Sequence, residues 1–245
     1  MTVLEGWVKG SFTSASLTRD TYRKGTGPVV IVVHEIPGIT PAVERFANDV
    51  VNAGFTVVMP DLVGTPGRTV DGKYLASSML KICISKEFTT LALQKTSPVI
   101  SWLRALARAL HNEIGGKGVG AVGMCFSGGF ALGMMVDDIM IAPVLSQPSL
   151  PFSIGKARGR DLNLSPDDAA VITQRAADGC QVLGLRFTQD KWVGDRFASL
   201  RKLIGDAFIA VEIPSQSPKD HSVLTEQRDE DSVQRVLSFF SEKLK

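Results

Sequence analysis

Histidine and cysteine are both scarce in this chain, with three of each among 245 residues. Cys83, Cys125 and Cys180 are odd in number and widely spaced, a pattern that fits neither a disulfide framework nor a zinc site. No His/Cys/Asp cluster has ligand spacing, so no metal and no other cofactor is expected. Charge of one sign is lacking too. The 27 basic and 25 acidic residues leave a net charge of +2, and the basic ones are scattered, which argues against nucleic acid or an anionic membrane as partner. No apolar run approaches bilayer length. The first ten residues lack a basic segment followed by an apolar core, so no secretory leader is expected. With unpaired cysteines, a reducing, cytoplasmic compartment is the simplest expectation.

What is present is a regular alternation of strands and helices. Residues 4–24 alternate loosely, as in an antiparallel entry pair. Residues 28–33 form a continuous β-branched run, the mark of a strand buried on both faces of a parallel sheet. A helix over 41–53 follows, with Pro41 in its first turn and Gly54 beyond its end, and then a strand over 55–59. From 62 to 97 the periodicity fades into Gly, Thr, Lys and Ser, and this stretch is expected to form a lid or pocket wall containing one helix. The pattern then predicts a helix over 98–113, a strand over 118–124, a helix over 127–135 and a strand over 138–145. A loop over 147–164 leads to a helix with Ser165 as N-cap and Pro166 at its first position. Strands over 181–187 and 207–213 and helices over 194–203 and 232–244 complete the chain. This is an α/β pattern, predicting one domain over 1–245 with a mainly parallel sheet and helices on both faces.

In such a sheet ligands bind at the carboxyl ends of the strands. The strand over 118–124 delivers Gly123-Met124-Cys125-Phe126-Ser127-Gly128-Gly129, a nucleophile elbow with cysteine in the serine position. Small residues stand two before and two or three after the nucleophile because the turn is too tight for side chains there, and the following helix N-terminus favours a thiolate. The same stretch contains GxGxxG at residues 118–123, but its glycines compose the strand instead of following it, so the match is read as accidental. His221 lies in a polar loop after the last strand and is the candidate base; His111, near a helix C-terminus, is not. Asp190 follows the strand over 181–187 and is the candidate acid. Asp195 is its competitor, standing where an N-cap would stand, and Asp220 is read as solvated. The order nucleophile, acid, histidine is that of α/β-hydrolases. In that architecture the oxyanion hole draws on the N–H after the nucleophile, that of Phe126, and on one from the loop after the first parallel strand, that of Ile36. Glu35, beside Ile36, is an acidic residue in a loop that must face Cys125.

With these residues in hand, the chain resembles the dienelactone hydrolase (carboxymethylenebutenolidase) family. The matching motifs are HEIPG from His34, MPDL from Met59, GMCFSGG from Gly123, DxxV from Asp190 and HS at His221-Ser222. The resemblance implies the α/β-hydrolase fold, hydrolysis of a lactone or ester, and a small-molecule substrate; a monomer or small homo-oligomer is expected. It also implies that Glu35 contacts the thiol of Cys125 and helps it ionise when substrate arrives. Two departures stand out. Ser127 occupies a position often held by glycine, and the arginines that hold a substrate carboxylate in the family have no match. Arg68, Lys81, Lys86, Lys156, Arg158 and Arg160 are the available cations, each read as solvated. The competing classes are a ligand-binding protein without activity on the same scaffold, and a peptidase of the same fold.

Overall fold

The computed structural model describes residues 4–88 and 91–245; residues 1–3, and 89–90 inside the excursion, lie outside the described residues. The entry pair is a hairpin of β1 (Val8–Ser14) and β2 (Leu17–Lys24). Six further strands follow: β3 (Val29–Val33), β4 (Thr56–Pro60), β5 (Val119–Met124), β6 (Met140–Ser146), β7 (Val182–Phe187) and β8 (Phe208–Ile213). They form one sheet in the order β1-β2-β4-β3-β5-β6-β7-β8. The β1-β2 and β2-β4 pairs are antiparallel, and every pair from β4 to β8 is parallel.

Strand alternation splits the core into two layers. Val29, Ile31 and Val33 of β3 face one layer, and Val30 and Val32 face the other. The second layer is closed by α1 (Pro41–Asn52) and α8 (Glu230–Leu244), through Phe46, Phe239 and Phe240. The first is closed by α3 (Pro98–Ile114), α6 (Pro166–Ala177) and α7 (Arg196–Ile204). Side chains cap helix N-termini, Ser165 as expected. Thr40 accepts the Val43 N–H at 3.3 Å, and Ser165 accepts the Asp168 N–H at 3.2 Å.

Two local readings need correction. The helix expected over 127–135 is a 3-10 turn at Cys125–Ser127 followed by the short α4 (Phe130–Met134). The loop over 147–164 contains a short α5 (Lys156–Arg160). Among the described residues the excursion over 62–97 carries a helix as expected, α2 (Gly72–Ile84), capped by the Asp71 side chain. Among the described residues no helix is long and apolar enough to cross a membrane.

Candidate active site

Parallel pairing of β3 with β5, with Val33 beside Gly123, brings the loop after β3 against the turn after β5. Cys125 sits in that turn with φ at +54°, a left-handed conformation costly for a residue with a Cβ. A Cβ at Gly123 would lie 2.0 Å from the Ser127 carbonyl oxygen, so the turn closes only over glycine there. Ser127 is fully buried in place of the frequent glycine, and its hydroxyl ties the elbow to the neighbouring loop. It accepts the Met124 N–H at 2.9 Å and lies 3.0 and 2.9 Å from the carbonyls of Val33 and His34.

The structure brings Asp190 and His221 together. Asp190 Oδ2 lies 2.7 Å from His221 Nδ1, while its other oxygen accepts the Trp192 N–H at 2.9 Å. Asp195 does not reach the site. It stands at the N-cap position of α7 but makes no capping bond, and its carboxylate pairs with Arg160 at 3.0 Å. Asp220, read as solvated, instead accepts the N–H groups of Gln216 and Ser217 at 2.7 and 2.8 Å and shapes the histidine loop. Burial is the largest influence on the His221 pKa and lowers it. The charge of Cys125 and the hydrogen bonds to Asp190 and Cys125 outweigh burial, pushing the value up to about 11. That balance describes an imidazolium held beside the sulfur.

Glu35 is buried, and its carboxyl accepts hydrogen bonds from Ser222 Oγ at 2.8 Å, from Gln147 Nε2 at 3.2 Å and from Thr225 Oγ1. Among the described residues it makes no hydrogen bond to Cys125, although both line the same cavity. Burial raises the Glu35 pKa, opposed by the Thr225 and Ser222 hydroxyls and the charge of His221. The adjacent Ile36 N–H and the Phe126 N–H have no acceptor among the described residues. For Phe126 this follows from its place in the first turn of a helical segment.

Other residues of the site were not read from the sequence. Gln147, at the end of β6, has φ at +36° and joins Ser146 to Glu35. Its position at the carboxyl end of a strand was the available signal. His34 is fully buried; its Nδ1 donates to the Glu35 carbonyl at 2.8 Å, and its Nε2 accepts the Leu62 and Val63 N–H groups at 3.1 and 3.4 Å. Burial lowers its pKa to about 4, so it is neutral, and it binds the loop after β3 to the loop after β4. Arg196 is buried beneath the site and donates to the carbonyls of Leu150, Asp161, Trp192 and Val193.

Cys125, His221, Glu35 and Ile36 open into a cavity of about 330 Å³. Val70, Leu75 and Met79 from around α2, Phe152 from the loop after β6 and Trp192 from the loop after β7 form its apolar side. Among the described residues no group of side chains could hold a metal ion.

The model of the dienelactone hydrolase family matches residues 16–153, more than half of the chain. That span holds Glu35, Ile36, Cys125 and Phe126 and ends before Asp190 and His221. A dienelactone hydrolase from Anabaena variabilis superposes with a TM-score of 0.67 at 15% identity, over 98% of this chain and 98% of its own. An esterase from Pyrococcus furiosus gives 0.66 at 13% identity, over 97% of this chain and 92% of its own. A cold-adapted esterase from an Arctic intertidal metagenomic library gives 0.61 at 14% identity, over 97% and 93%. At these identities the structures establish the shared fold. No curated protein matches the chain.

Proposed function

The chain belongs to the dienelactone hydrolase family, and from that premise we propose that it hydrolyses a carboxylic ester or lactone through a thioester on Cys125. The observation that carries this reading is the convergence, from three strand ends, of a left-handed cysteine, a histidine lining the same cavity and a carboxylate 2.7 Å from that histidine.

The Cys125 thiolate attacks the acyl carbon, and the carbonyl oxygen takes up negative charge. The Ile36 and Phe126 N–H groups are free to receive that charge, which in a dry site gives strong transition-state stabilisation. As the tetrahedral adduct collapses, the carbon–oxygen bond to the leaving group breaks, and His221 gives that oxygen its proton. The neutral imidazole then takes a proton from water. The resulting hydroxide attacks the thioester, and the carboxylic acid leaves as the thiolate re-forms. Asp190 keeps His221 in the required orientation and stabilises its cation. Glu35 anchors the Ile36 loop to the His221 loop through Ser222 and Thr225.

Rapid mixing with p-nitrophenyl acetate tests this directly. One equivalent of nitrophenol should appear in a burst, be blocked by iodoacetamide and vanish in Cys125→Ala. Cys83→Ala and Cys180→Ala should retain it. A burst that survives Cys125→Ala, or activity that is lost to EDTA and restored by zinc, sinks the thiol mechanism.

A further inference from the structure

The cavity differs sharply between its two sides. Around Cys125 the polar groups are already engaged: Glu35 by three side chains, and His221 by Asp190. Across from them, Val70, Leu75 and Trp192 stand at the mouth with 44%, 42% and 53% of their surface exposed. Three large apolar side chains from two chain segments, exposed around one opening, mark a surface that a ligand covers.

The cations that could hold a substrate carboxylate are elsewhere. Arg68 pairs with Asp71 at 2.8 Å and stacks on the Tyr74 ring. Arg158 donates to the Leu91 carbonyl, Arg160 pairs with Asp195, and Lys81 lines a different cleft. Lys219 is the one lysine or arginine lining the cavity among the described residues, and it is exposed and accompanied by Glu226. An anion moved from water onto an apolar wall without a buried cation loses far more in hydration than it regains.

Resting on the hydrolase reading above, we propose that the substrate is an uncharged ester or lactone whose acyl part is apolar. That part lies against Leu75, Met79, Phe152 and Trp192. Each methylene buried there should raise kcat/KM by about three- to fourfold, the factor expected for a methylene leaving water. The preference is set by α2 and the loop after β7.

The test compares p-nitrophenyl acetate, butanoate and hexanoate with the mono-p-nitrophenyl ester of glutaric acid, whose chain ends in a carboxylate. We expect kcat/KM to rise at least tenfold from acetate to hexanoate, and hexanoate to exceed the glutarate ester at least tenfold. Leu75→Lys should shrink the hexanoate-to-acetate ratio and improve the glutarate ester relative to hexanoate. A flat chain-length series, or a glutarate preference that Lys219→Met removes, overturns the apolar assignment while Cys125-dependent acetate turnover keeps the hydrolase reading. Absence of turnover with every ester removes both.

Discussion

The His221 imidazole and the Asp190 carboxylate meet at 2.7 Å, with the Asp190 side chain almost wholly buried, whereas Asp195 lies outside the site in an exposed pair with Arg160. Two acids five residues apart on one loop therefore have opposite environments. Asp190→Asn should lower kcat by about 10²- to 10⁴-fold, because the amide holds the imidazole in the wrong tautomer and no longer stabilises its charge. Asp195→Asn should stay within about twofold of wild type, as exposed substitutions do. Steady-state kinetics of the two variants on one ester decide the assignment, and an inactive Asp195→Asn beside an active Asp190→Asn reverses it.

Much of this arrangement was legible because local rules and the sheet agree. The β-branched run of β3 and the glycines around Cys125 each permit few conformations, so the strand and the elbow follow from composition. The acid was harder. Asp190 and Asp195 differ only in which way the loop after β7 turns, and that is set by Arg196 drawing in the Trp192 and Val193 carbonyls. Nothing local to the sequence marks Arg196 for burial. The cradle of Glu35 was hidden for the same reason: Thr225, Ser222 and Gln147 are ordinary loop residues until the segments after β6 and β8 reach across the strand ends to the loop after β3. The lost periodicity over 62–97 marked an excursion, but not that α2 would present Leu75 and Met79 to the cavity.

His34 makes the fold sensitive to acid. Its pKa is about 4 in the folded chain because burial excludes the charged form, against an unfolded value of 6.5. Its contribution to stability is complete above pH 6.5 and is lost as pH falls through that window towards 4, since the unfolded chain binds the proton more readily. The change is on the order of 3 kcal/mol. His34→Asn should be less stable than wild type at pH 8, with the gap narrowing by about that amount at pH 4. Urea unfolding at several pH values measures it, and a gap independent of pH rejects the neutral buried histidine.

Arg196 should be a stability residue whose loss reaches the site. Its guanidinium holds the Leu150 and Asp161 carbonyls on one side and those of Trp192 and Val193 on the other. Arg196→Met leaves several buried acceptors unpaired, at about 1–3 kcal/mol each before relaxation, so a loss of at least about 3 kcal/mol is expected. Arg196→Lys restores the charge but not the planar fork and should recover only part of it. Equal urea midpoints for wild type and Arg196→Met would show that the two loops hold together without it.

Glu35 should govern the reactivity of the resting thiol. Its pKa is raised by burial, so the carboxylate charge appears only as pH rises above the ordinary glutamate range. Once present, that negative charge opposes a second one on the nearby sulfur, which should slow attack by the resting thiol until substrate arrives. Glu35→Gln removes the charge while keeping a side chain of the same shape. It also weakens the acceptor set that binds Ser222 and Thr225, and with it the positioning of the Ile36 N–H. Ester turnover should therefore fall in Glu35→Gln, while alkylation of Cys125 by iodoacetamide becomes at least as fast as in wild type. The difference in alkylation should grow with pH through the Glu35 titration and then level off. A residue that merely completed the turn would move both rates together or neither. Parallel pH profiles of turnover and alkylation for the two proteins separate these cases, and superimposable curves would leave Glu35 with no part in setting the thiol.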